Sequence, residues 1–301
     1  MKLIADSGST KTAWCLLTDA NEEIQLTTAG INPFQQTEAD IVAVLHGELM
    51  PRLTAALCSS EAGVPSEIHF YGAGCTAEAS PKVAAALHQV FGQQADADVQ
   101  SDMLGAARAL CGHTPGIVAI LGTGSNSCRY DGRQIIANVS PLGFILGDEG
   151  SGAYIGKRLV GDVLKRQLPE AVCRLFLDET HETAASIIRH TYREPMPNRY
   201  LASLSPFCAR HRDIPAIHDL LTDCFRQFFL RNIALLSAGE GVEQAGDRSS
   251  LLRKDQGDTL HFVGSIAYHY QSELLEVAAS MGYTVGNILK APIDGLVRYH
   301  S

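Results

Sequence analysis

The chain has 301 residues, of which 46% are hydrophobic and 19% charged, and it carries a formal net charge of −9 at neutral pH. That length favours two domains with sizeable cores, and the composition excludes extensive disorder. The acidic balance argues against unaided binding to nucleic acid or an anionic membrane surface, yet leaves room for a local donor-rich pocket that takes a nucleotide.

In chain order, strands are predicted over 2–6, 12–18 and 23–29. The first two flank Asp6-Ser7-Gly8-Ser9-Thr10-Lys11-Thr12, where a carboxylate at a strand end precedes small residues that let backbone N–H groups approach an anion. Such a turn suits a metal-bound polyphosphate, although an ordinary hairpin uses the same residue types. A helix is expected near 37–58, a strand over 67–73, a helix over 81–91 and a strand over 97–100. Asp102 then opens a helix over 102–111. There a carboxylate can stabilise the first turn or, kept ionised, accept a proton from an alcohol.

A second set of strands follows at 116–121, 125–130 and 133–138. Its Ile120-Leu121-Gly122-Thr123-Gly124-Ser125 turn is a weak internal echo of the first one. The echo is not a dinucleotide fingerprint, because the third glycine is missing, and no P-loop is present. Pro141-Leu142-Gly143-Phe144-Ile145-Leu146-Gly147-Asp148-Glu149-Gly150-Ser151-Gly152 precedes an amphipathic helix starting near Ala153. Its carboxylates can complement that helix N-terminus or accept hydrogen bonds from sugar hydroxyls. Residues 150–238 read as predominantly helical, with Pro195, Pro197, Pro206 and Pro215 dividing the helices. Gly239 to Asp258 reads as an exposed connection, and Leu260 to Ala267 as another strand–turn–helix containing Gly264 and Ser265. The last segment, after Gly286, is expected to pack back against the first domain.

The eight cysteines, at 15, 58, 75, 111, 128, 173, 208 and 224, form no CxxC pair, and no zinc spacing is found. With no apolar leader and no membrane-length apolar run, the expectation is a cytoplasmic protein with reduced cysteines.

Taken in order, the Asp6 loop, Asp102, the Gly122 loop, Gly147-Asp148-Glu149-Gly150-Ser151 and Phe262-Val263-Gly264-Ser265 carry a resemblance across nearly the whole chain. The sequence resembles the sugar-kinase/Hsp70/actin-type ATPase superfamily and, within it, the BadF/BadG/BcrA/BcrD group that contains the N-acetylglucosamine kinases. The resemblance implies an α/β protein of two ribonuclease-H-like lobes with a nucleotide cleft between them. The lobes would be residues 1–112, completed by 287–301, and residues 113–286. It also implies ATP and Mg²⁺ as cofactors, with Asp6 near the metal. Gly8, Ser9, Thr10, Lys11, Thr12, Gly122, Thr123, Gly124 and Ser125 would lie near phosphates, and Gly264 and Ser265 near the adenosine. Asn32, Thr123, Gly124 and Asp148 would face the sugar, and Asp102 would take the proton from its 6-hydroxyl. Ser7 and Ser9 depart from the glycines of many relatives.

The function implied is phosphorylation of a small-molecule amino sugar, N-acetylglucosamine, to its 6-phosphate, with no nucleic acid or membrane partner. Helices of the second lobe offer a surface for a homodimer. Two alternatives belong to other classes. One is an ATPase activating a partner dehydratase, which the scattered cysteines disfavour. The other is a sugar-responsive regulator, disfavoured by the acidic charge and by the lack of a helical DNA-binding module before the first strand.

Overall fold

The computed structural model describes residues 1–8, 10–20, 22–57, 65–237 and 259–301, so Ser9, Cys58 and the connection expected from Gly239 to Asp258 lie outside the described residues. The chain divides into two units, Met1–Gly112 with Pro292–Ser301, and His113–Ala291.

In the first unit, β1 (Lys2–Ser7) and β2 (Lys11–Leu17) form a hairpin, and β3 (Glu23–Ala29) extends it antiparallel. Thr37 starts α1 (Glu38–Val44) through a capping box. Its hydroxyl accepts from Asp40 N, while the Asp40 carboxylate accepts from Thr37 N. The helix expected near 37–58 is broken by a π-helical turn at Leu45–Leu49 before α2 (Met50–Ala56). Pro51 has no N–H for Gly47 four residues back, and the wider turn just before it passes Met50 N to Leu45 O instead. Glu48 of that turn accepts from Ala29 N at 2.9 Å, which occupies a backbone donor of edge strand β3.

Next come β4 (Glu67–Gly72), α3 (Ser80–Phe91), β5 (Asp96–Ser101) and α4 (Asp102–Cys111). The sheet order is β3-β2-β1-β4-β5, with β1, β4 and β5 parallel. Because side chains alternate across a strand, Leu3 and Ala5 join a core with Ile41, Leu45, Val83 and Leu87. Ile4 faces the opposite side, with Tyr71, Ala109 and Leu296.

The second unit opens with a meander of β6 (Gly116–Leu121), β7 (Ser125–Tyr130) and β8 (Ile135–Val139). The short α5 (Gly143–Leu146) precedes α6 (Gly152–Leu164), α7 (Glu170–Thr180), α8 (Ala184–Tyr192), α9 (Pro197–Arg210) and α10 (Pro215–Phe228). A second π turn at Phe229–Ile233 leads to α11 (Ala234–Ser237). Then follow β9 (Leu260–Val263), α12 (Ser265–His269), α13 (Gln271–Ser280) and β10 (Val285–Leu289).

The sheet order here is β10-β9-β6-β7-β8, with β6, β9 and β10 parallel. Counted from each unit's own first strand, both sheets read 3-2-1-4-5, so the echo between the two glycine turns reflects a repeated topology. α14 (Ile293–His300) belongs to the first unit, where it packs on β1, β2 and α4. Among the described residues, no helix is long and apolar enough to cross a membrane.

Pro206 departs from the sequence expectation, because it lies inside α9 and divides nothing. A proline there cannot donate to Ala202 O. The Ser205 hydroxyl donates to that oxygen instead, at 2.8 Å, so the helix runs through.

Candidate active site

Asp6 is the penultimate residue of β1, and the two-residue alternation puts it on the Ile4 face, against which α4 packs. Asp102 is the first residue of α4, directly after β5. Ser7 of β1 pairs in register with Gly72 of β4, and Gly72 with Ser101 of β5, so both carboxylates stand at the C-terminal ends of parallel strands. Crevices at those ends are where open α/β sheets bind ligands.

The two carboxylates feel one another. Burial, then the charge of Asp102, pushes Asp6 up to about 7, and the Lys11 ammonium only partly opposes this. Burial raises Asp102 as well, against the stabilising hydrogen bond that its Oδ1 accepts from Met103 N at 2.8 Å.

In the turn between β1 and β2, Gly8 N donates to Lys11 O at 3.0 Å, and Gly8, Thr10 and Lys11 are exposed. Thr12 is buried. Its hydroxyl donates to Ser7 Oγ at 2.7 Å and lies 3.2 Å from Ala29 O, which ties the turn to β1 and β3. The serine at position 7 therefore does work that glycine cannot, because its hydroxyl also donates to Ile31 O, one residue before Asn32. Asn32 is buried, and its Oδ1 accepts from Phe34 N at 3.0 Å.

In the second unit, the Gly122–Ser125 turn sits at the end of β6 and is held from two sides. Gly152 N and Ala153 N, at the start of α6, donate to Gly122 O at 2.8 Å and Thr123 O at 3.1 Å. Ser151 caps that helix by accepting from Tyr154 N. Asp148, in the left-handed region at φ 55°, accepts from Ser125 N at 3.2 Å. Its carboxyl fills the space beside Gly124, where a Cβ would lie 3.1 Å from Oδ2. Burial raises the Asp148 carboxyl, chiefly against the Ser125 hydrogen bond, and neighbouring Glu149 adds to the rise.

Gly264 follows β9 at φ +120°, and Leu121 O lies 2.3 Å from where its Cβ would stand. Any other residue would have to force apart the ends of β6 and β9. Ser265 is exposed beside it. Thus Asp6, Gly8, Thr10, Lys11, Thr12, Asn32 and Asp102 gather at one sheet end of the first unit. Gly122 through Ser125, Asp148, Gly264 and Ser265 gather at the corresponding sheet end of the second.

The sequence reading missed the support of this second group. Glu149, buried, accepts from Arg231 Nη1 at 2.9 Å and from Asn232 Nδ2 at 3.4 Å, both on the second π turn. Nothing local announces a partner 82 residues away.

Two units with the same 3-2-1-4-5 sheet, each with a glycine turn after its first strand, define an α/β protein of two repeated units. The chain is 45% identical, with a TM-score of 0.87, to a presumptive N-acetylglucosamine kinase from Porphyromonas gingivalis, over 100% of this chain and 98% of that one. It belongs to the N-acetylglucosamine kinase-like family. A Chromobacterium violaceum protein of the same description shares the fold at 15% identity and a TM-score of 0.73, over 100% of this chain and 98% of its own. A Streptomyces griseus ROK-family glucokinase, solved with glucose and AMPPNP, shares it at 13% identity and 0.54, over 99% and 97%. No family model matches the chain, and no curated protein does.

Proposed function

We propose that the protein transfers the γ-phosphoryl group of ATP to the 6-hydroxyl of N-acetylglucosamine, giving the 6-phosphate and ADP. One observation carries the reading. In a chain 45% identical end to end to the Porphyromonas gingivalis protein, Asp6 and Asp102 converge at the ends of parallel strands β1 and β5.

Asp102 acts as the base and aligner. Burial strengthens its basicity, and the hydrogen bond from Met103 N fixes its orientation toward an incoming hydroxyl. Because phosphoryl transfer proceeds through a loose transition state, holding that hydroxyl in line matters more than removing its proton early. Backbone donors of the 8–12 and 122–125 turns bind phosphate oxygens, with Lys11 adding positive charge. Asn32, Thr123, Gly124 and Asp148 bind the sugar, and Gly264 and Ser265 admit the adenosine.

Asp6 suits a magnesium ion, being a hard oxygen donor that burial and Asp102 leave short of positive charge. Among the described residues no group of three or more His, Cys, Asp or Glu side chains forms a metal cage. That fits an ion held by one or two carboxylates, substrate phosphates and water. When bound, Mg²⁺ would neutralise charge on the phosphates.

The Asp102→Asn variant tests the assignment. Turnover, followed by ADP release, should fall about 10²- to 10⁴-fold while calorimetry still detects sugar binding. Near-normal turnover would remove Asp102 from the role.

A further inference from the structure

The loop after β3 is fastened more firmly than a surface connection requires. Ser7 Oγ accepts from Ile31 N at 3.0 Å and donates to Ile31 O at 3.0 Å. Asn32 N donates to Gln36 Oε1 at 2.7 Å, and Gln36 Nε2 donates back to Gly30 O at 3.2 Å. Lys82 of α3 donates to Pro33 O at 2.5 Å and to Gln36 O at 3.0 Å.

What this rigid loop holds out is Phe34, whose side chain is 69% exposed. A single exposed apolar side chain is ordinary. This one shares a hydrogen-bonded turn with Asn32, since Phe34 N donates to Asn32 Oδ1 at 3.0 Å. Gly74, at φ +79° just beyond β4, seats both residues. A Cβ there would lie 2.5 Å from Asn32 Oδ1 and 2.8 Å from Phe34 Cδ2. The ring and the amide are therefore set side by side before any ligand arrives.

An aromatic face beside a polar amide matches a ligand with one C–H-rich face and a rim of hydroxyls. We propose that Phe34 is an aromatic platform for the apolar face of the hexopyranose ring, positioning the sugar beside Asn32; this rests on the sugar-kinase reading above. A ring fixed in advance loses little freedom on binding, so its contact favours substrate and transition state alike and acts mainly on KM.

The chain offers a clean reporter. Its single tryptophan, Trp14, is fully buried and donates to Thr28 Oγ1 at 2.9 Å, so a tryptophan placed at position 34 would dominate any sugar-dependent signal. Phe34→Ala should raise the sugar KM about tenfold and move kcat and the ATP KM far less. Phe34→Trp should keep the sugar KM within about threefold and give a saturable fluorescence change with N-acetylglucosamine in the absence of nucleotide.

A Phe34→Ala sugar KM within about twofold of the parent, with phosphorylation intact, overturns the platform and leaves the kinase reading standing. A fluorescence response without phosphorylated product keeps the platform and removes the kinase reading. Neither response nor product overturns both.

Discussion

A carboxylic acid gives up its proton less readily when it is buried, and less still beside another carboxylate; Asp6, at about 7, shows both effects in that order. Its folded value lies above the ordinary value of about 3.9, so between those limits the folded protein holds more protons than the unfolded chain. The stability this group contributes is complete below about pH 4 and is lost as pH rises through about 7. Without magnesium, thermal melts should therefore show the midpoint of Asp6→Asn gaining on the parent as pH rises from 4 to 7.5; a constant difference would contradict the shift. Magnesium binding should also release protons near neutrality, and calorimetry in buffers of different ionisation enthalpy would reveal it. The positions of both carboxylates at strand ends were legible in the sequence, Asp6 because it follows the apolar run Leu3-Ile4-Ala5 and Asp102 because it opens a helix directly after Ser101. Their mutual influence was not, since it depends on β1, β4 and β5 lying side by side.

Among the elements, the loop at 147–150 depends on a partner from the second π turn. Arg231 is 59% exposed, whereas Glu149 is 8% exposed, so the two ends of this ion pair differ in what their loss leaves behind. Among the described residues, Arg231→Ala leaves the buried Glu149 carboxylate with only Asn232 as hydrogen-bond donor, and it should cost about 1–3 kcal/mol in urea unfolding. Glu149→Gln returns an exposed guanidinium to water and should cost less. Equal losses would mean that Glu149 is not sequestered as described. Strands and helices were readable where the pattern was strong, as in the continuous apolar run of β6 and the amphipathic spacing of α6. It misled at Pro206, because the compensating Ser205 hydroxyl is a tertiary detail of the helix and not a pattern. The strand Val285–Leu289 was overlooked for a related reason. Gly286 and Asn287 are poor strand formers and fall at a register shift, while Val285, Ile288 and Leu289 on either side pair with β9.

At the scale of the whole chain, the repeated 3-2-1-4-5 sheet explains why the sequence carries two similar strand–turn–strand starts. Each places a glycine turn beyond its unit's first strand, one beside Asp6 and the other beside Asp148. The repeat was only faintly legible, since the intervening helices differ entirely between the units and just the turn chemistry persists. The most direct test of the proposed activity is to incubate the protein with Mg²⁺-ATP and N-acetylglucosamine and identify the product by mass spectrometry and NMR. Stoichiometric ADP and a sugar phosphorylated on its 6-oxygen are expected. ATP hydrolysis with the sugar unchanged, or phosphate on another oxygen, would contradict the proposed activity.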